Sequence, residues 1–298
     1  MIEIDLFRAM YRIRRFEETV LDEFKRGVFA GTTHTSLGQE ANAVGVISAL
    51  KDEDVIVTNH RCHGHFIAYG GDIRALFAEL MGRATGVCGG RGGSQHIHWR
   101  NLYSNGVQGG IVPIATGMAL AEKEKKSGAL VTVFIGDGTF GEGVIYEAFN
   151  MASLWAVPLL IVVENNHIAQ TTPTSLVMAG KLADRLRAFD IPVTELDSSD
   201  VSVIRQAALE EAGAVRNTVR PHALILNTAR FGPHSKGDDT RTEEELQALQ
   251  VARDPLRILA PRLNVEEVEK IKSEVEAEVR QAFKQSLADP AAVLEESG

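Results

Sequence analysis

The chain has 298 residues, of which 44% are hydrophobic and 24% charged, and its formal net charge is −9. This composition is ordinary for a globular protein, and the negative charge argues against nucleic acid or an anionic membrane surface as a partner, because both favour a basic protein. With two cysteines, no apolar run of about 18 residues and no signal-peptide core at the N-terminus, we expect a cytoplasmic protein that does not cross a membrane.

The first 82 residues are predicted to contain helices around one short strand. Residues 3–27 carry apolar side chains at three- and four-residue steps, the spacing of an amphipathic helix, and a second helix is expected from near Gly38. Residues 54–58 are a β-branched run typical of a strand. The run His60–His65 that follows is interpreted as a loop, and residues 72–82 as a helix.

A segment rich in glycine and histidine comes next. Residues 86–110 show neither a helical nor a strand period. Long stretches without regular structure inside a compact domain are usually functional. We therefore expect this segment to contribute to a site.

From residue 112 onward, helix and strand patterns alternate. The predicted helices are 112–126, 142–155, 179–189 and 200–216, and the predicted strands are 130–135, 158–164, 191–195 and 222–227. Continuous apolar runs such as LVTVFI are typical of strands buried on both faces of a parallel sheet. The order predicts an α/β fold with a doubly wound parallel sheet, followed by C-terminal helices of which the last spans roughly 265–288. We find no internal repeat and no strong boundary, so we predict one domain over residues 1–298.

Two motifs at the ends of neighbouring predicted strands indicate the chemistry. The sequence GDG at 136–138 directly follows one strand, and ENN at 164–166 ends the next. Parallel strands bring such residues to one edge of the sheet, where carboxylate and amide oxygens suit Mg²⁺ that is shared with a phosphate. The glycines allow backbone N–H groups to approach an anion. Either motif alone fits a tight turn or a strand-end cap, but together they predict a site for Mg²⁺ and a diphosphate.

These motifs and several others resemble one family. The further stretches are HTSLGQEA at 34–41, HRCHG at 60–64, GRGGSQH at 90–96, GEG at 141–143 with NMA at 150–152, and RFGPHS at 230–235. In this order, and over nearly the whole chain, they resemble the α subunits of thiamin diphosphate-dependent 2-oxo acid dehydrogenases, which act on pyruvate, acetoin-related or branched-chain substrates. The resemblance implies the thiamin diphosphate-binding fold of the diphosphate domain, with thiamin diphosphate and Mg²⁺ as cofactors.

The resemblance also implies which residues hold the metal and the diphosphate. Mg²⁺ would be held by oxygens of Asp137, of Asn166 and of the Ile168 main-chain carbonyl. The family often has an aromatic residue at position 168, but only the carbonyl is needed there. The diphosphate would be bound by residues of the surrounding loops: Arg61, Gly136, Gly138, Thr139 and Arg230.

Other residues would meet the rest of the cofactor and the substrate. By the same resemblance, the backbone at Gly106 and Gln108 would contact the aminopyrimidine ring. His60 stands where the family commonly has a tyrosine beside the diphosphate. His234 would close over the diphosphate and the reacting centre. His34 would sit at the substrate entrance, where an imidazole can polarise or protonate a 2-oxo acid or a lipoyl group.

The glutamate that activates the cofactor is expected on another chain. In this class of enzyme one α/β domain binds the diphosphate and a second binds the aminopyrimidine, and a single sheet's worth of strands accommodates only the first. Glu40, Glu142 and Glu164 lie in motifs that the family uses structurally. The resemblance therefore implies a β subunit that supplies this glutamate in an α2β2 assembly, a 2-oxo acid substrate and a lipoyl acyltransferase as a further partner.

Two alternative functions stay open. The same cofactor could serve an acetoin dehydrogenase or an acyloin-forming carboligase. A function of another class is a catalytically silent subunit that only regulates its partner. The intact motif residues argue against that second alternative.

The histidine-rich stretch admits a different interpretation. His60–His65 holds three histidines and a cysteine, a set that zinc could use. Because we place these residues in a loop, without i, i+4 spacing on a helix, we expect His63 and His96 instead to support the active-site loop by hydrogen bonding. Ser235 lies where some relatives carry a phosphorylatable serine, and we interpret it as an ordinary loop serine.

Overall fold

The computed structural model of the chain describes residues 2–235 and 239–293, so part of the polar loop after Arg230 lies outside the described residues. The helices are α1 (Glu3–Phe24), α2 (Glu40–Ile47), α3 (Cys62–Ala68), α4 (Ile73–Leu80), α5 (Gln108–Lys125), α6 (Val144–Leu154), α7 (Leu182–Arg187), α8 (Val201–Thr218), α9 (Glu243–Arg253), α10 (Pro255–Leu259) and α11 (Val265–Ala288). The strands are β1 (Val55–Thr58), β2 (His98–Trp99), β3 (Leu102–Ser104), β4 (Val131–Gly136), β5 (Leu159–Asn165), β6 (Ile168–Ala169), β7 (Thr172–Pro173), β8 (Val193–Asp197) and β9 (His222–Asn227).

Seven of these strands form one sheet in the order β2-β3-β1-β4-β5-β9-β8, and β6 pairs with β7 in a separate ribbon. All neighbours in the large sheet are parallel except the short β2–β3 pair. The predicted α/β fold with a parallel sheet and C-terminal helices is therefore confirmed. Within the described residues, the structure contains no helix with the length and apolar character of a membrane span.

Helices cover both faces of the sheet because its central strands are apolar on both faces. In β5, Leu160 and Val162 face a core that includes α1, α2, α8 and α11, whereas Leu159, Ile161 and Val163 face a second core with α5, α6 and α7. All five side chains are fully buried. Each such burial contributes about 1.5–3 kcal/mol, which is why the continuous apolar runs in the sequence mark the middle of the sheet.

Two predictions of secondary structure, for residues 60–65 and 86–110, are wrong. The run His60–His65 is not a loop throughout, since helix α3 begins at Cys62. The side chain of Asn59 accepts a hydrogen bond from the backbone N–H of Arg61 at 2.8 Å just before the helix. The first six residues of α3 are all buried, so tertiary packing outweighs the weak helix propensity of glycine, histidine and cysteine.

The segment 86–110 is also more regular than predicted. It contains β2, β3 and the start of α5 at Gln108, whereas the sequence predicted a helix only from residue 112. Strands of two and three residues are too short to produce a recognisable period. Elsewhere the predicted elements are present with bounds that shift by a few residues, as is usual at element ends.

A buried network of charges ties α1 to the elements packed around it. The guanidinium of Arg14 donates to Glu40 at 2.5 Å and to Asp254 at 3.0 Å. The second carboxylate oxygen of Glu40 accepts from the backbone N–H of Gly38 at 3.0 Å, and Glu40 is fully buried. The network therefore joins α1 to the starts of α2 and α10.

Replacing Arg14 by methionine should destabilise the fold strongly. The substitution leaves two largely buried carboxylates without their cation, and breaking such a pair costs about 3–5 kcal/mol. Arg8→Met is the matched control, because Arg8 pairs with Glu274 on the surface, and this substitution should lower the free energy of unfolding far less. Urea denaturation measures both. Equal losses in the two variants would contradict this account of the network.

Candidate active site

Five neighbouring strands end at one cavity of about 540 Å³. The segments that follow β3, β1, β4, β5 and β9 all line it, at the edge where the parallel strands have their carboxyl ends. The loop between α1 and α2 adds His34. Every site residue predicted from the sequence lies on this cavity: His34, His60, Arg61, Gly106, Gln108, Gly136, Asp137, Gly138, Thr139, Asn166, Ile168, Arg230 and His234.

Side-chain and backbone oxygens from the segments after β4 and β5 line the cavity. Gly136 pairs with Glu164 across β4 and β5, so Asp137 and Asn166 begin adjacent loops. Asp137 is buried, and its Oδ2 has no hydrogen-bond partner among the residues that the structure describes. Burial raises the pKa of the Asp137 carboxyl. A buried unpartnered carboxylate oxygen costs free energy that a bound cation would offset, so Asp137 fits a hard metal ion.

The turn that carries Asp137 is held in close contact with its neighbours. A side chain at Gly138 would place its Cβ 2.9 Å from the Cβ of Ala169 on β6, closer than two such carbons normally approach. The side-chain oxygen of Gln108 accepts from the N–H of Gly136 and from the hydroxyl of Thr139, both at 2.9 Å. Gln108, expected to act through its backbone, therefore also braces this turn with its side chain.

Two basic side chains also line the cavity. Arg61 and Arg230 are both buried, with 5% and 3% of their surface exposed. The Arg61 guanidinium donates to the Thr35 carbonyl at 2.5 Å and lies 3.2 Å from Nδ1 of His234, and Arg230 lies 3.4 Å from the same nitrogen. Two guanidinium groups this close repel each other, and an anion between them removes the repulsion. Their planar forks suit phosphate oxygens.

Three imidazole rings lie close together in the cavity. The ring centroids of His34 and His60 are 4.5 Å apart, and those of His34 and His234 are 4.8 Å apart. Their nitrogens lie within 4.8 Å of one another, close enough to suggest a metal site. The adjacent guanidinium groups of Arg61 and Arg230 oppose a cation there. Burial, with a further contribution from Arg61, lowers the pKa of His60 to about 2, so His60 is neutral at neutral pH.

The cysteine and histidines of α3 do not converge on a metal. His63 bonds Glu17 at 3.1 Å through one ring nitrogen and Ser94 at 2.9 Å through the other. His65 bonds the hydroxyl of Thr58 at 2.7 Å. In the described part of the chain, no potential metal-binding group includes these residues. We call residues 86–97 the glycine-rich loop. His63 supports this loop through Ser94, as expected, whereas His96 is exposed and its supporting role stays a prediction.

Several polar residues of the cavity were not predicted. They are Gln39, Asn59, Gln95 and Gln170. Gln95 lies 3.3 Å from Nδ1 of His34, yet it stands in an irregular segment where no period or strand end marks it. The carboxylates of Glu142 and Glu164 also line the cavity, and both are engaged: Glu142 accepts from the N–H of Gly109, and Glu164 from side-chain amides.

The shifted pKa of His60 predicts a pH-dependent difference between the protein and its His60→Gln variant. In the unfolded chain His60 binds a proton below about pH 6.5, whereas in the folded chain its pKa is about 2. Folding is therefore opposed progressively as the pH falls below 6.5. Relative to the variant, the wild type should lose up to about 1.4 kcal/mol of stability per pH unit between pH 6 and pH 4. Urea denaturation of the apoprotein at each pH tests this, and parallel stability curves would contradict it.

Comparisons with known proteins give matches over most of the chain. Residues 8–295 match the model of the family described as dehydrogenase E1 component. The chain is 36% identical to the pyruvate dehydrogenase E1 component subunit alpha of Zymomonas mobilis, over 95% of this chain and 82% of that protein. It is 38% identical to the subunit alpha of acetoin:2,6-dichlorophenolindophenol oxidoreductase of Bacillus subtilis, over 82% of this chain and 78% of that protein.

Eukaryotic relatives match over a similar extent. The human mitochondrial pyruvate dehydrogenase E1 component subunit alpha, somatic form, is 34% identical over 98% of this chain and 77% of its own length. The family implies thiamin diphosphate as the cofactor and a second subunit as the partner of each α subunit. On these matches and on the cavity at the strand ends, the chain belongs to the dehydrogenase E1 component family.

Proposed function

We propose that this chain, as one domain, is the α subunit of a thiamin diphosphate-dependent 2-oxo acid dehydrogenase. It decarboxylates a 2-oxo acid and passes the acyl unit to a lipoyl group of an acyltransferase. The observation that carries the proposal is the arrangement of the cavity. An unpartnered buried oxygen of Asp137 and two buried guanidinium groups line the same cavity. A cytoplasmic location fits the two free cysteines.

The cavity supports specific roles in holding the cofactor. Mg²⁺ would be bound by Asp137, by Asn166 and by the carbonyl of Ile168, three oxygen donors of the kind that Mg²⁺ shares with a diphosphate. The diphosphate would be bound by Arg61 and Arg230, with Gly136, Gly138 and Thr139 beside it. When bound, thiamin diphosphate supplies the electron sink that a decarboxylation of a 2-oxo acid requires.

The residues of the chain orient the reactants and exchange protons. Neutral His60 receives a hydrogen bond from Gln108, whose nitrogen lies 3.1 Å away, and so occupies the place of the family's tyrosine without adding charge. His34 and His234 lie on the same wall, where their ring nitrogens can hold a proton against the substrate. Gly106 and the backbone at Gln108 border the space left for the aminopyrimidine ring.

A partner must supply the carboxylate that activates the cofactor. Among the described residues, the carboxylates that line the cavity are Asp137, Glu142 and Glu164. Asp137 is assigned to the metal, and the other two accept hydrogen bonds from the protein itself. We therefore place the activating glutamate on a β subunit, in an α2β2 assembly.

The surface formed by α5 and α6 is where we place that subunit. We call it the α5–α6 face and define it by its exposed apolar side chains Val107, Ile114, Val144, Met151 and Leu154. Residues 107–121 contain no charged side chain, which is unusual for a helix exposed along one side. Val107 also lines the cavity. A subunit seated on this face would therefore reach the cavity mouth, which favours the β subunit as its occupant.

Placing a charge on this face should weaken assembly. Leu154 is 74% exposed, so Leu154→Asp leaves the fold of the chain intact but buries a carboxylate in the interface. We expect at least about tenfold weaker association with the β subunit, equivalent to about 1.4 kcal/mol, measured by sedimentation velocity. Val203→Asp is the control, because Val203 is 44% exposed on α8, away from this face. Association that is unchanged in Leu154→Asp would contradict the assignment.

Removing the proposed metal ligand should abolish cofactor binding. Asp137→Ala deletes the carboxylate and should weaken binding of thiamin diphosphate in the presence of Mg²⁺ by more than about 100-fold, or about 2.7 kcal/mol. Titration calorimetry on the assembled complex measures this. Asp184→Ala is the control, since that side chain is 65% exposed on α7. Retained affinity in Asp137→Ala would contradict the metal site.

An activity assay distinguishes this function from its alternatives. The complex is incubated with a series of 2-oxo acids, with and without a lipoylated acceptor domain. Turnover that requires the acceptor supports the dehydrogenase. Product formation from acetoin, or acyloin formation without the acceptor, would favour the second candidate, which the Bacillus subtilis relative brings into consideration. A silent regulatory subunit predicts turnover that is indifferent to Asp137→Ala.

A further inference from the structure

A buried carboxylate outside the cavity holds the glycine-rich loop in place. Glu79, in α4, is fully buried. Its Oε2 accepts from the backbone N–H groups of Cys88 at 2.6 Å and Gly90 at 2.9 Å. Its Oε1 accepts from those of Gly92 at 2.6 Å and Gly93 at 3.1 Å. One side chain thus satisfies four donors within residues 88–93, a stretch that contains no helix or strand.

Glycines allow the backbone of this loop to lie close to Glu79. At Gly90, φ is +74°, and a Cβ there would lie 2.6 Å from the carbonyl oxygen of Arg83. At Gly86, a Cβ would lie 2.7 Å from the Cα of Glu79 itself. Glycine at both positions lets the backbone close around the carboxylate.

The loop leads directly from Glu79 to the cavity wall. Ser94 follows Gly93, and its hydroxyl forms a hydrogen bond with His63. This second contact also holds the loop just before Gln95. The side chain of Gln95 lies 3.3 Å from Nδ1 of His34. Its oxygen also occupies the space beside Gly106, where a Cβ would lie only 2.1 Å from it. Gln95 thus touches two residues of the cavity wall.

We propose that Glu79 is a positioning residue of the active site, which acts on His34 through the glycine-rich loop and Gln95. Glu79 does not itself line the cavity. The kinetic part of this inference rests on the proposed function, while the structural part does not. A neutral glutamine cannot replace the carboxylate, because its NH₂ group would face backbone N–H donors and leave two of them without an acceptor.

The first test is hydrogen–deuterium exchange on the full chain. In Glu79→Gln we expect the amides of residues 86–97 to exchange at least about tenfold faster than in the wild type, because their acceptor is lost. Asp54→Asn is the matched control: Asp54 is also fully buried and accepts from the N–H groups of Leu130 and Lys51, at 3.0 and 2.8 Å. It should leave exchange in 86–97 unchanged. Unchanged exchange in Glu79→Gln would overturn the proposal.

The second test is a double-mutant cycle in the assembled complex with its β subunit. Glu79→Gln and Gln95→Ala should each lower kcat by about tenfold, with the affinity for thiamin diphosphate within about twofold of the wild type. The kcat of the double variant should be no lower than that of the slower single variant. Both substitutions interrupt the same chain of contacts from Glu79 through Gln95 to His34. Multiplicative losses would overturn the proposal. Glu79→Asp keeps the charge, so its kcat should lie between those of Glu79→Gln and the wild type. A kcat as low as that of Glu79→Gln would contradict the proposal.

The two tests separate failure of this inference from failure of the proposed function. If the wild-type complex does not turn over any 2-oxo acid, the proposed function fails, but loop exchange in Glu79→Gln still decides whether Glu79 holds the loop. If Glu79→Gln does not fold, the kcat values of Gln95→Ala and Glu79→Asp are compared with that of the wild type instead. Normal kcat in Gln95→Ala would then overturn the path from Glu79 to His34.

Discussion

The active-site architecture depends on one unsatisfied group, the Oδ2 atom of Asp137. It is buried at the carboxyl end of β4, without a hydrogen-bond partner among the described residues, and burial raises the pKa of its carboxyl. A fold that keeps such an oxygen does so at a cost in stability, and a cation removes that cost. Asn166 and Ile168, in the segment that follows β5, line the same cavity as Asp137. The parallel pairing of β4 and β5 brings Asp137 and this segment to one edge of the sheet.

The cavity also contains two buried cationic side chains. Arg61 and Arg230 come from the segments after β1 and β9, the strands that flank β4 and β5 in the sheet. The cavity therefore combines an unpartnered carboxylate oxygen with two buried guanidinium groups, and His60 beside them is neutral. This combination fits a metal ion together with an anionic cofactor. Because we place the activating glutamate on a β subunit, this chain would form only part of the complete active site.

The sequence predicted the sheet and the strand-end residues because their signals are local. LVTVFI and LLIVVE are continuous apolar runs, and GDG and ENN stand directly at their ends. The contacts that were not predicted are long-range. Glu79 reaches donors nine to fourteen residues away, the Gln108 side chain reaches Gly136 across 28 residues, and α3 is helical because it is buried. No periodic pattern encodes such contacts, so only the structure shows them.

The central claim is that Asp137 holds a metal ion. The most direct test is to locate this ion in crystals of the α–β complex grown with thiamin diphosphate and with Mn²⁺ in place of Mg²⁺. Anomalous difference density identifies the ion without assumptions about its ligands. The account predicts one peak about 2.1 Å from side-chain oxygens of Asp137 and Asn166 and from the carbonyl oxygen of Ile168. A peak among His34, His60 and His234, with Asp137 left uncoordinated, would contradict it.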